Sequence, residues 1–443
     1  MPNGKVQYIR NTGFVPQPEK VLVTTAPRDV YEHDGSGLYK RLPVLTADGF
    51  EDGFAEYTTN IPDGWKFSTR QKDYGYAFLE SNIIGPTYLH YPLSETIAKH
   101  LENCRYDVLC ISAFTWTLPW ALELARKAKS EYKIKEVWLG GYAVMTDEPQ
   151  IYEVFDRLFW GYCESIFNES IGLGQISASG IKHPDLTTRA SWLGRDTTVG
   201  HLLFRRGCPN RCTYCADPAF APGGDESLSL AAVEEILDYY KSNAIKTVYI
   251  SNQDTNLLSG FGREVLEAIK KRKMNFGMLT SFQALSLSGE NGIRELRDNG
   301  LTFLLVGLES LNDINLEKTK RRSRQIIMEK TLGLLRQLDI IATSTYMICF
   351  EDDSEASIRE AKRRIIDLGL AVCLFNITVP LPGTPMYYEY KEKGLISDWN
   401  WSRWTGNYLV WKHPVISTEK AQELLAEIRS EVNHPAYNGR AIA

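Results

Sequence analysis

The chain has 443 residues, 43% of them hydrophobic, with 50 basic against 55 acidic side chains and a net charge of −5. That is enough apolar chain for one large core or two sizeable ones, and the acidic balance argues against a surface that coats nucleic acid in bulk. No run approaches a membrane span, no apolar core follows the basic residues of the N-terminus, and eight cysteines in so long a chain are too sparse for a secreted disulfide framework. It reads as cytoplasmic, with reduced thiols.

In chain order, "KVLVTTAP" reads as a strand ending at Pro27. Residues 28–75, rich in Gly, Asp, Tyr and Thr without a sustained period, look like a long excursion or lid. Regular alternation follows: "RYDVLCISAF" as a strand, "PWALELARKAK" as an amphipathic helix, "IKEVWLGG" as a strand. Such alternation favours a doubly wound, Rossmann-like parallel sheet over 1–170, with ligands at the carboxyl ends of its strands. Residues 171–198 have linker composition. Six strand candidates then recur at 199–205, 247–251, 275–281, 302–308, 344–350 and 371–378, separated by helices. Ser229 is placed to cap a helix whose apolar face is Leu230, Val233, Ile236, Leu237 and Tyr240, and Gly300 to end another. Six β/α units over 199–385 suit a partial (β/α)6 barrel, open along one side, more than a closed eightfold one. The small tail, 386–443, crowds Trp399, Trp401, Trp404 and Trp411 before an amphipathic helix at 417–432.

Directly after the first barrel strand, "FRRGCPNRCTYCADPAF" brings Cys208, Cys212 and Cys215 into one segment as C-x3-C-x2-C. A structural zinc wants four protein ligands, commonly two separated pairs, and no second pair follows. A redox dithiol needs only Cys212 and Cys215. Three closely spaced thiolates suit a [4Fe–4S] cubane whose fourth iron lacks a protein ligand.

The spacing, with Tyr214 as the aromatic before the last cysteine and six β/α units behind it, resembles the signature of the radical S-adenosylmethionine superfamily. The resemblance covers about 195–400. It implies that the methionyl amine and carboxylate of S-adenosylmethionine chelate the open iron, and that one electron cleaves the sulfonium to a 5′-deoxyadenosyl radical. Tyr214 would lie against the adenine. Asp254 and Asn256, past the second strand, would meet the methionyl amine, Ser281 and Gln283 the carboxylate, and Glu309 and Ser310 the ribose or amine. Read alone, Asp254 or Glu309 is equally an ordinary solvated strand-end carboxylate. A small-molecule substrate and a reductant such as flavodoxin or ferredoxin are implied as partners, with no nucleic acid and no membrane; no catalytic residue is assigned.

A doubly wound domain, a short linker and then this barrel resemble the cobalamin-binding class of the superfamily. Ser112 in "CISAF" and Gly140 and Gly141 in "VWLGGYA" end consecutive strands, where glycine lets a corrin side arm pass close to the backbone or simply makes a tight turn. None of the seven histidines stands in the D-x-H-x-x-G setting that ligates cobalt in many such domains; His33 comes nearest but has Tyr31 in place of the aspartate. Cys104, Cys110 and Cys163 are weighed as ligands of a second cluster, and Cys110 reads better as a strand hydrophobe. Cys349 and Cys373 sit in barrel strands. The implied function is a cobalamin-dependent C-methyltransferase on a small metabolite; the alternative keeps the domain without cobalamin and performs a radical rearrangement, ring closure or transfer of another fragment. A third reading is a non-catalytic corrin or metal sensor.

Overall fold

The computed structural model describes residues 5–27, 55–60, 66–71, 73–192, 195–221 and 226–432; His33, His434 and most of the 28–75 excursion lie outside them. The strands are, in chain order, β1 (Lys5–Tyr8), β2 (Val21–Thr25), β3 (Ala55–Asn60), β4 (Lys66–Gln71), β5 (Thr87–Leu89) and β6 (Val108–Ser112). Next come β7 (Glu136–Gly140), β8 (Arg157–Trp160), β9 (Thr187–Trp192), β10 (Arg195–Leu202), β11 (Arg205–Arg206) and β12 (Glu226–Ser227). The last five are β13 (Thr247–Ile250), β14 (Asn275–Ser281), β15 (Leu301–Glu309), β16 (Ile341–Ile348) and β17 (Val372–Ile377).

The first sheet has the order β1-β8-β7-β6-β2-β5, parallel except where β1 pairs antiparallel with β8. All five residues of β2 and four of β6 are buried, because an internal parallel strand is covered on both faces and needs a continuous apolar run. After β2 the chain goes first to β5 on one side and then to β6 on the other. The strand order therefore reverses between β2 and β6, the place where an open α/β sheet leaves a crevice at its carboxyl ends.

The second sheet has the order β17-β16-β15-β14-β13-β10-β9-β4-β3, and its first six strands are parallel. In β16 burial alternates residue by residue, as it does where one face packs on helices and the other looks into a barrel. The helix Leu230–Ser242 begins where Ser229 Oγ accepts a hydrogen bond from Ala232 N (3.2 Å), and buries Val233, Ile236, Leu237 and Tyr240. Burial of such aliphatic side chains is worth ~1.5–3 kcal/mol each. Tyr240 lies flat on Gly200 of β10, where an added Cβ would stand 2.7 Å from the ring. Gly300 takes φ +106° directly after the helix Phe282–Asp298, turning the chain into β15.

Two expectations change. The stretch expected as linker is not irregular to 198: Thr187–Trp192 is a strand pairing antiparallel with β10, and the ring of the buried His183 accepts from Leu203 N (2.9 Å). Within the expected excursion, β3 and β4 form a hairpin that extends the second sheet through β9, so these residues are sheet and not lid. Two short segments without a hydrophobic period left no trace a sequence reading could use. In the tail, Trp401, Trp404 and Trp411 are buried and each indole N–H has an acceptor, while Trp399 is exposed; the last helix is Thr418–Val432. No helix among the described residues is long and apolar enough to cross a membrane.

Candidate active site

The cluster segment leaves β10 and β11 and passes over the carboxyl ends of the barrel strands. Cys208, Cys212 and Cys215 are free, Cys212 is buried and the other two are half-buried. Burial pushes the Cys208 and Cys215 thiols upward, and the neighbouring cysteines of the trio add to the rise. Three thiolates this close in the chain cost free energy unless a cation holds them. Among the described residues no three His, Cys, Asp or Glu side chains converge on a single-ion site; the donor set suits separate corners of a cubane.

Arg321, which sequence reasoning missed, ties this segment to the fourth barrel strand. Its Nη1 points at Cys212 Sγ (3.9 Å), its Nη2 donates to the Gly307 carbonyl (3.0 Å), and Glu309 Oε1 lies 3.9 Å from Nη2. Only its place in the basic run "KTKRRS" could have hinted at it, and such a run is ordinarily a solvated face. Glu309, at φ +61°, also accepts from Thr345 Oγ1 (3.2 Å), and burial raises its carboxyl against the pull of Arg321. Tyr214 is edge-on to Phe350 at 6.1 Å and feels the charges of Glu309, Arg321 and the cysteines. Tyr214, Glu309, Arg321 and Cys212 thus form one group.

Asp254 forms a second group. Its carboxylate accepts from Asn210 Nδ2 (2.7 Å), Ser281 N (2.9 Å) and Ser281 Oγ (3.2 Å), which fastens the cluster segment to β14. Ser281 Oγ also caps the following helix by accepting from Ala284 N (3.1 Å). The other three are not drawn in. Asn256 is exposed and closes a local turn with Leu258 N (2.9 Å), Gln283 is half-buried on the helix, and the buried Ser310 Oγ accepts from Asn312 N and Asn315 Nδ2. Arg321 Nε and, within two residues of Asp254 or Arg321 in the chain, Asn252 Nδ2, Thr255 Oγ1 and Ser323 Oγ are buried without a partner among the described residues. Such orphans are costly and mark places prepared for a polar ligand. They fit S-adenosylmethionine.

Two cavities lie between the sheets. The first, ≈ 280 Å³, is walled by Ser112, Gly140 and Gly141 from the first sheet and by Arg206, Ser251 and Gln253 from the barrel. It sits at the β2/β6 reversal, and Asp73–Gly75, the end of the excursion, also line it. Gly141 has φ +78°, and a Cβ there would stand 2.5 Å from the Ala113 carbonyl oxygen, so it is required by the turn and not by the approach of a ligand. Gly140 meets nothing closer than 4.0 Å and leaves the cavity open. The second cavity, ≈ 380 Å³, touches Tyr214, Cys215 and Asp217 of the cluster segment, Met347 and Asn376 of the barrel, and Trp404 of the tail. Phe114 and Tyr142 belong to both walls. Tyr142 donates to Asp217 and stacks on Phe220 at 4.5 Å, and Phe114 stacks on Trp116 at 4.6 Å. The second cavity has no cationic side chain and one acid besides the cysteine.

Among the described residues no histidine lines either cavity. Burial lowers His183 to about 3 and His201 to about 4, so both pack as neutral rings between the linker region and the barrel. Cys110 and Cys163 line the first cavity, Cys104 is exposed, and the three make no metal-holding trio. Cys349 and Cys373 are core residues, both buried.

Residues 202–365 match the family model described as Radical SAM superfamily. The bacteriochlorophyllide d C-12(1)-methyltransferase of Chlorobaculum tepidum is 24% identical over 391 residues, 83% of this chain and 82% of that one. Its C-8(2)-methyltransferase is 29% identical over 223 residues, 48% of this chain and 49% of that one. Among solved structures, the radical S-adenosylmethionine methyltransferase TsrM from Kitasatospora setae, with cobalamin and [4Fe–4S] cluster bound, superposes with a TM-score of 0.57 at 14% identity over 84% of this chain and 74% of that one. The cobalamin-dependent enzyme OxsB, with aqua-cobalamin and S-adenosylmethionine bound, gives 0.59 at 11% identity over 93% and 66%. The curled, half-open barrel is the fold these structures share with the chain. With the cysteine trio at the carboxyl ends of the barrel strands, residues 202–365 form a radical S-adenosylmethionine domain, and the chain is an enzyme with a [4Fe–4S] cluster and S-adenosylmethionine as cofactors.

Proposed function

We propose that the enzyme transfers a methyl group to a small, flat, largely apolar molecule, with cobalamin between the two sheets. The observation that carries this is the two-chambered space at the carboxyl ends of both sheets, one chamber touching the cluster segment and the other the crevice of the first sheet. The names of the relatives support methylation, and the aromatic and thioether lining of the second chamber, without a cation to pair a carboxylate, supports a flat neutral substrate. When bound, cobalamin supplies methyl-carrying chemistry. Cys208, Cys212 and Cys215 hold the cluster, and Tyr214, Glu309, Asp254 and Ser281 seat S-adenosylmethionine beside it. Ser112, Gly140 and Gly141 border the corrin, and the Asp217–Tyr142 contact orients the wall between the chambers. Phe114 and Tyr142, which belong to both walls, lie where the two chambers adjoin.

The test supplies reduced, reconstituted enzyme with S-adenosylmethionine, with and without hydroxocobalamin, and measures both cleavage products. 5′-Deoxyadenosine is expected in either case, and S-adenosylhomocysteine, the mark of methyl transfer, only with the corrin. 5′-Deoxyadenosine without S-adenosylhomocysteine in the presence of corrin would favour a rearrangement or ring closure, and neither product would favour a sensor.

A further inference from the structure

The barrel side of the first cavity holds a polar cluster that neither the iron–sulfur chemistry nor the seating of S-adenosylmethionine uses. Arg206 is 4% exposed. Its Nη1 donates to Glu164 Oε2 at 2.9 Å, and its guanidinium packs over Phe78 and Tyr162, 4.1 and 4.9 Å from the ring centres. Its Nε and Nη2 are buried with no partner among the described residues. Ser251 Oγ and Gln253 Oε1 are in the same condition and line the same cavity. The other end of the Gln253 amide donates to Tyr162 Oη (3.1 Å), which also accepts from Gly207 N (3.2 Å). Two donors, a hydroxyl and an acceptor thus stand unpaired on one wall, though buried polar groups are nearly always paired.

The charge decides what they bind. Glu164 neutralises Arg206 in a buried pair, and the two rings hold the guanidinium in place, so the wall offers directed N–H groups without net charge. A phosphate or carboxylate would meet the lone pairs of Gln253 Oε1 and the charge of Glu164. A primary carboxamide matches both halves: its carbonyl oxygen accepts from Arg206 and Ser251, and its NH2 donates to Gln253.

We infer that Arg206, Ser251 and Gln253 are a recognition site for a neutral primary carboxamide on the ligand of the first cavity. The inference rests on the reading that this ligand is a corrin, whose rim carries such carboxamides. Glu164 and Tyr162 act as positioning residues.

The test measures hydroxocobalamin affinity of anaerobically reconstituted protein by equilibrium dialysis, for wild type, Ser251→Ala, Gln253→Leu and the double variant, with melting temperature and iron content as controls on folding. Losing these partners should weaken binding roughly 5- to 100-fold in the double variant, with iron content unchanged. One corrin monocarboxylate, with a single rim amide hydrolysed, should bind wild type at least about tenfold more weakly than its isomers, and that handicap should shrink in the double variant, where only the charge of Glu164 still opposes it. Inorganic phosphate should not compete. Affinities unaffected by both substitutions would mean that water fills the wall, and displacement by phosphate would make it an anion site; either overturns the inference while the corrin reading stands. A wild type that takes up no corrin overturns both.

Discussion

The two sheets end differently at their carboxyl edges. The barrel strands end in charged groups that already hold one another: Asp254 on Ser281 and Asn210, Glu309 on Thr345 and beside Arg321, which reaches Cys212. The first sheet ends in small residues and rings, Ser112 and Gly140 next to Phe114 and Tyr142, and faces polar groups that come across from the barrel. An edge of mutually braced charges fixes a small charged cofactor at set points. An edge of glycine and aromatic surface leaves open space, with polar groups facing it from the opposite wall. On the function proposed above, the difference separates a cofactor recognised by residue type from one recognised by space.

The largest expected effect tests the braced edge. Replacing Cys208, Cys212 and Cys215 together by Ala should remove all of the iron, about four atoms per chain in wild type, by iron assay and visible absorption. Full iron in that variant would mean the cluster is held elsewhere.

Next comes S-adenosylmethionine. Glu309→Gln retains the shape of the side chain and loses its charge, and Asp254→Ala loses the brace on Ser281; each should weaken binding of S-adenosylmethionine by about 1–3 kcal/mol, roughly 5- to 100-fold, with iron retained. Wild-type affinity in both, by isothermal titration under anaerobic conditions, would return these carboxylates to a purely structural role.

Smaller effects test the open edge. Gly141→Ala places a Cβ 2.5 Å from the Ala113 carbonyl oxygen at φ +78° and should cost about 1–3 kcal/mol by thermal unfolding, whereas Gly140→Ala, with nothing within 4.0 Å, should leave stability near wild type. Equal losses would mean that the two glycines share one role. The smallest effect is an absence. His183 and His201 have folded values of about 3 and 4, below the ordinary 6.5, so both rings stay neutral as pH falls from 8 to 5, and their imidazole proton resonances should not titrate there. A titration near 6.5 in either would show that ring to be exposed.

The braced edge was largely legible in the sequence because its chemistry is local: three cysteines within eight positions, and carboxylates at the ends of apolar runs. Of the residues proposed for it, Asn256 and Ser310 serve local turns instead, a choice set by backbone geometry that spacing does not encode. Arg321 and Asn210 were missed because each reaches a partner far along the chain. The open edge was legible only as glycines and small residues. The polar wall opposite, with Arg206, Ser251 and Gln253, exists only once the two sheets meet, and no periodicity announces it. The β3/β4 hairpin was hidden for the same reason: its partner β9 lies over a hundred residues on.

The central claim is that the space between the two edges takes a corrin, and its most direct measurement is anaerobic reconstitution with hydroxocobalamin followed by gel filtration and the corrin spectrum of the protein peak. About one corrin per chain is expected, retained through the column, with release unchanged across pH 6.5 because no histidine lines the cavities among the described residues. A peak that carries the brown cluster and cleaves S-adenosylmethionine but elutes free of corrin would contradict it.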